Sequence, residues 1–201
     1  MPKPVKASRR SVKLDPDGSD SRQRILNAAE AQFARDGFDA TPTARIADAA
    51  GVPKGLLFYY FPKKIDVLRA LLAERMPTAP LCGLAGIVRI GDLPGSLLRL
   101  ARKLGLGQHD SIVLRSIVFR EAGTHPEVRD HIRALRQGLL ELTEAVLDGA
   151  SEGPLDPKRR RQAAQTYVAV MLDEANSRRF DGAVPDLDGA ARIVSAGLTA
   201  T

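Results

Sequence analysis

The 201-residue chain contains no tryptophan, one cysteine and three histidines. A lone cysteine, Cys82, excludes an intrachain disulfide and a cysteine-based metal cluster, which fits a reducing cytoplasm. His109, His125 and His131 do not share a helix face at i and i+4, and no HExxH, GxSxG or phosphate-loop pattern occurs. Neither a metal nor a cofactor is expected, and no catalytic constellation is visible. The apolar runs fall far short of the roughly 18 residues that span a bilayer, so no membrane partner is expected. The N-terminal basic residues run into acidic and polar ones, not into the apolar core of a secretory signal. Strand-period alternation is missing over any long segment, and there is no internal repeat.

What is present is enough apolar material for a core, 44% of residues, with 27% charged. The net charge of +6 is unevenly placed: 12 Lys/Arg stand against 7 Asp/Glu through Lys64, and 18 against 17 beyond it. Lys3, Lys6, Arg9, Arg10 and Lys13 precede any acid, in a segment with Pro2, Pro4 and Pro16 and no apolar periodicity. Residues 1–20 therefore read as a disordered basic arm, either a solubilising tail or a source of phosphate contacts. Aromatics are scarce, with six Phe and three Tyr, yet Phe58, Tyr59, Tyr60 and Phe61 form one run.

Glycine and proline punctuation divides the rest into helices, predicting an all-α fold. Asp20 or Ser21 can cap a helix to Asp36, with Ile25, Ala29 and Phe33 at i+4 spacing and Gly37 ending it. Thr41 and Thr43 bracket Pro42 at the next helix start, where a hydroxyl can cap an amide or meet a phosphate. In TARIADAAGVPKGLLFYYF, Ile46, Ala47 and Ala50 give a close-packing face, and Gly51 fits a left-handed terminator. Val52 is an apolar plug and Pro53 pre-sets a new helix start. Two helices joined so tightly read as a helix-turn-helix, with Lys54 leading the second into a DNA major groove. Leu57 and Phe61 read as core. Pro62 begins a fourth helix to about Met76, with Ile65, Leu68, Leu71 and Leu72 inward. Pro77 and Pro80 mark a boundary, giving a DNA-binding domain over 21–76 and a second helical domain over 77–201. That second part is predicted to hold helices near Leu81–Ile90, Pro94–Leu104, His109–Ala122, Pro126–Asp148, Pro157–Phe180 and Leu187–Leu198. Lys158 to Arg161, at a helix start beside Asp156, read as an exposed face with acidic partners, the alternative being a second nucleic-acid patch.

The segment ILNAAEAQFARD followed by GFDATPTARIADAAGVPKGLLFYYFPKKIDVLRALL resembles the N-terminal domain of the TetR family of bacterial transcriptional regulators. The likeness covers about residues 22–73. It is carried by Phe33 and Gly37, Ile46-Ala47, Ala50-Gly51-Val52, Lys54-Gly55, Leu57, Tyr60-Phe61 and Lys64. The resemblance implies a homodimer of all-helical subunits, with a three-helix reader, a linking helix, and a C-terminal domain for ligand binding and dimerisation. Its expected partners are a double-stranded DNA operator, a second copy of the chain and a small-molecule effector; a protein-responsive or effector-free DNA binder is the alternative. Carried across, it places Lys54, Gly55, Leu56, Phe58, Tyr59 and Tyr60 on or beside the recognition surface, and Thr43 and Lys64 as candidate phosphate contacts. Ala44, Pro53 and Leu56 depart from the family's more polar usage, so polar base readout should be sparse.

In the C-terminal domain, an effector cavity would be mainly apolar with a few polar anchors. Val113, Ile117, Tyr167 and Met171 are candidate lining residues, with Arg120 and Glu121 as candidate charged anchors. The alternative for each is core packing or, across Arg120 to Pro126, helix capping. The resemblance makes the helices over Pro157–Phe180 and Leu187–Leu198 the candidate dimer halves; intrachain packing is the alternative reading of their periodicity.

Overall fold

A computed structural model describes residues 19–76, 83–106, 120–177 and 184–199. Among them are eight helices and no strand. The chain divides into two compact units, Met1–Leu68 and Arg69–Thr201, so the division falls within a helix and not at Pro77.

In the N-terminal unit, helix α1 spans Ser19–Asp36. Its buried stripe is Ile25, Leu26, Ala29 and Phe33, the i, i+4, i+8 set with one neighbour that lets a helix press one face into a core. Asp20 and Ser21 are not the caps expected from sequence, because the helix starts before them. Asp20 instead pairs with Arg24 at 3.2 Å, and the buried Ser21 hydroxyl accepts from Arg24 at 3.0 Å. Most of the expected basic arm lies outside the described residues. Gly37 closes α1 at φ 93°, its amide bonding to the Phe33 carbonyl at 2.9 Å. Helices α2, Thr43–Ala50, and α3, Lys54–Tyr60, follow. Helix α4 runs Lys64–Arg75, starting two residues later than Pro62 suggested. Val67, Leu68, Leu71 and Leu72 are its buried residues; Ile65, expected inward, is half-buried.

The C-terminal unit contains α5 (Leu93–Leu104), α6 (Pro126–Ala150), α7 (Pro157–Ser177) and α8 (Leu187–Thr199). Helices α6 and α8 both pack on α5 and α7. Leu97, Leu100, Leu139, Leu147, Tyr167 and Val168 lie in their shared core. Asp92 caps α5, accepting the Gly95 amide at 2.9 Å. Pro126 opens α6 after His125, in the first-turn position where a missing N–H is harmless.

The helix expected near Leu81–Ile90 is not formed over its described part. Residues 85–87 make a turn, with Gly83, Gly86 and Gly91 at φ 96°, 75° and 78°, a region where only glycine sits without strain. Leu84 and Ile87 have helix-like spacing, but tertiary partners take up the backbone instead. Ser96 Oγ accepts the Arg89 amide at 3.0 Å, and Arg99 Nε donates to the Ile87 carbonyl at 2.7 Å. Cys82 and most of the expected His109–Ala122 helix lie outside the described residues. The acidic partners expected for the Lys158–Arg161 run are found: Arg160 pairs with Asp148 at 2.7 Å, and Arg161 with Glu144 at 2.6 Å. No described helix is long and apolar enough to cross a membrane.

Candidate nucleic-acid interface

The geometry of α2 and α3 follows from the short linker between them. Gly51 takes φ 65°, ψ 35° and ends α2, so that its amide reaches the Asp48 carbonyl and the Val52 amide reaches Ala47 at 3.0 Å. This left-handed cap reverses the chain within one residue, and Val52 is buried beneath it. Pro53 then presents its carbonyl to the Leu56 amide at 2.9 Å, starting α3 without any side-chain cap. Arg24 braces the junction from α1, donating to the Ala50 carbonyl at 3.4 Å.

Burial divides α3 as the residue pattern predicts. Leu57 is fully buried and Phe61, just beyond the helix, is 3% exposed. Each fixes the helix by removing a large apolar side chain from water, a contribution of about 1.5–3 kcal/mol. The opposite side carries Lys54, Gly55, Phe58 and Tyr59, all exposed, with Leu56 and Tyr60 half-buried. Tyr59 is 78% exposed, and its ring meets Tyr60 edge-on at 5.2 Å. Lys54 Nζ lies 5.8 Å from the Phe58 ring centroid, so the cation and the aromatic edge form one surface. A methyl group added at Gly55 would meet nothing within 4 Å; the backbone is open to close approach there.

On α2, Thr43 is half-buried at the first helical position. Thr41 does not cap this helix: it is fully buried and donates its hydroxyl to the Gly37 carbonyl at 2.6 Å. Arg45, not singled out from the sequence, projects from the exposed side of α2 and pairs with Asp36 at 2.6 Å. Its position beside the inward Ile46 was the available signal. The hydrogen bond from Arg35, opposed by burial and reinforced by the charges of Arg35 and then Arg45, holds the Asp36 carboxyl below its ordinary pKa. Lys64 is half-buried at the start of α4. Its ammonium faces backbone carbonyls, donating to Phe38 at 2.8 Å, Asp39 at 3.1 Å and Thr41 at 3.3 Å.

Of the candidate effector residues, Arg120, Glu121, Tyr167 and Met171 are among the described residues. Val113 and Ile117 lie outside the described residues. Arg120 is exposed and Glu121 buried, and they pair with each other at 3.1 Å. Tyr167 and Met171 are buried in the core of the C-terminal unit. Burial pushes the Tyr167 hydroxyl well above its ordinary pKa, Asp188 adds to the rise and Arg102 opposes it. That hydroxyl has no hydrogen-bond partner among the described residues. A separate cavity of about 540 Å³ is bounded by Leu93, Ala150, Leu155, Arg192, Ser195 and Leu198 among others. None of Arg120, Glu121, Tyr167 and Met171 lines it.

With this geometry in view, the sequence profile of "Bacterial regulatory proteins, tetR family" matches residues 25–71, the stretch that contains α2 and α3. The chain is 36% identical over 173 residues to the HTH-type transcriptional regulator TtgR of Pseudomonas putida, covering 78% of this chain and 80% of that protein. It is 28% identical over 176 residues to the HTH-type transcriptional activator FasR of Mycolicibacterium smegmatis, covering 86% and 78%. Its fold is similar to that of a crystallised transcriptional regulator from Saccharomonospora viridis in complex with choline. That match has a TM-score of 0.61 and 22% identity, and covers 89% of this chain and 95% of the other.

Proposed function

Because the chain belongs to the TetR family of bacterial transcriptional regulators, we propose that it represses transcription by binding a pseudo-palindromic operator as a homodimer and is released by a small molecule. It is a regulator and not an enzyme, as its relatives are. The observation that carries the DNA-binding part is the outer side of α3. Exposed Lys54, Phe58 and Tyr59, with open backbone at Gly55, sit on a short helix anchored by Leu57 and Phe61.

The roles follow from chemistry. Lys54 can meet a guanine edge or a phosphate, and Tyr59 and Tyr60 can offer hydroxyls to phosphates and rings to sugars or thymine methyls. Leu56 and Phe58 suit thymine methyls, while Thr43 suits a phosphate near the start of α2. Leu56 and Phe58 offer no hydrogen-bonding group to a base edge, so part of the selectivity would come from DNA shape.

Dimerisation is supported by α8. Ile193 is 75% exposed, and Ala196 and Gly197, about one turn on, are exposed small residues that allow a second helix to approach. Two copies would set their α3 helices at half-sites roughly 34–36 Å apart, one DNA turn. Effector binding is supported by Tyr167, whose buried hydroxyl, unpartnered among the described residues, costs free energy until something accepts or donates to it. A similar fold that was crystallised in complex with choline supports a small-molecule effector.

The test is a titration of the purified protein against DNA from its own upstream region and a scrambled duplex, across salt. A repressor of this kind prefers the upstream DNA at moderate salt and lowers expression of a reporter driven by it. Equal binding to both duplexes would leave only the phosphate term and sink the proposal. Raised reporter expression, the behaviour named for FasR, would make it an activator.

A further inference from the structure

We propose that Lys64 serves DNA binding as a positioning residue, a three-point clasp that fixes the connector before α2, and not as a phosphate contact. The proposal rests on the reading that α2 and α3 engage DNA. A lysine ammonium has three N–H donors and no acceptor. Lys64 Nζ has three carbonyl acceptors, on Phe38, Asp39 and Thr41, at 2.8, 3.1 and 3.3 Å. The same ammonium lies 4.5 Å from the centroid of the Phe38 ring, a cation–π arrangement. A phosphate oxygen could be reached only by giving up one of these bonds.

What the clasp holds is the point where α2 begins. Thr41 immediately precedes Pro42, which is the N-cap of α2 and offers no side-chain bond to the helix. Pro42 has no amide hydrogen with which to anchor itself. The entry is therefore fixed through its neighbour. The Thr41 hydroxyl donates to Gly37 at 2.6 Å, and the Thr41 carbonyl accepts from Lys64. The Pro42 carbonyl then accepts the Arg45 and Ile46 amides at 3.1 and 3.4 Å. Displacing the Thr41 carbonyl shifts Thr43 and the start of α2, and with α2 the turn that carries α3.

Removing the charge alone would not separate the two roles, since a nearby cation attracts DNA even without touching it. Lys64→Arg separates them. A guanidinium serves a phosphate at least as well as an ammonium, but its planar fork does not place three hydrogens on three converging carbonyls. The full-length variant is to be titrated against the upstream and scrambled duplexes over a salt series, with hydrogen exchange followed across residues 38–46. The clasp predicts about a tenfold or greater loss of operator affinity, little change on scrambled DNA, an unaltered salt slope, and faster exchange at the Arg45 and Ile46 amides. Wild-type operator affinity in K64R, or an equal fall on both duplexes with unchanged exchange, overturns it.

Should K64R fold poorly, Thr41→Val loosens the same connector from a side chain too buried to reach DNA. Lost discrimination supports the clasp, and unchanged discrimination overturns it. If the wild type shows no operator preference, the DNA-binding reading fails. The exchange comparison still decides whether Lys64 holds the connector.

Discussion

At the scale of single residues, exposure separates side chains that hold α3 from those free to act. Tyr59 is largely exposed while Leu57, two positions earlier, is fully buried. Substituting Tyr59 by alanine should change folding stability by no more than about 0.5 kcal/mol, as for most surface changes. It should weaken operator binding about tenfold, equivalent to about 1.4 kcal/mol. Thermal melts and fluorescence anisotropy on the same preparation check this, and a comparable loss in both would make Tyr59 structural. The division between Leu57 and Tyr59 was legible in the sequence because a helix sends residues two apart to different sides. The clasp formed by Lys64 was not. Its acceptors belong to residues more than twenty positions away, and backbone carbonyls leave no trace in side-chain identity.

At the scale of elements, local signals were reliable where one residue alone satisfies the backbone. Gly51, Pro53 and Pro126 each mark a helix boundary, because glycine's left-handed φ and proline's fixed φ act on their own position. The turn over residues 83–92 shows the opposite case. Leu84 and Ile87 have the spacing of a helix face, but Ser96 and Arg99 of α5 take the hydrogen bonds a helix would have made. Asp92 joins this connection to α5. A hydrogen bond from Arg99, followed by the Gly95 amide, holds its carboxyl below the ordinary range. A carboxyl depressed in the folded state adds stability above its unfolded pKa of about 3.9, and that stability is lost as pH falls through the folded value. Asp92→Ala should therefore cost about 0.5–2 kcal/mol at neutral pH. The cost should shrink on acidification, so urea denaturation of both proteins at pH 7 and pH 3 provides the check. A cost that does not fall with pH would remove the carboxylate from the explanation.

At the scale of the whole molecule, α4 belongs to both compact units. Lys64 bonds within the first, while Arg69 pairs with Glu127 at 3.1 Å and the Met76 carbonyl lies 2.7 Å from His131 Nε2 within the second. The proline-based boundary after Met76 follows chain punctuation; the division between Leu68 and Arg69 follows packing. Assembly is tested at this scale too. Ile193→Glu would place a charge on the exposed apolar side of α8. If α8 forms the dimer interface, the variant should elute as a monomer at micromolar concentration. It should also lose about a hundredfold or more in operator affinity, since one half-site no longer assists the other. Light scattering after size exclusion gives the mass, and an unaltered dimer would move the interface away from Ile193.

The sequence by itself determined the helical class, the α2–turn–α3 unit and its family. These depend on intervals of three or four residues and on glycine and proline, whose backbone preferences travel with them. Only the tertiary structure decided that residues 83–92 turn, that Thr41 faces inward, that Asp36 meets Arg45 and that Lys64 is spent on three carbonyls. Each of those outcomes is a competition among donors and acceptors far apart in the chain, and it is settled by which groups the fold brings within about 3 Å of one another.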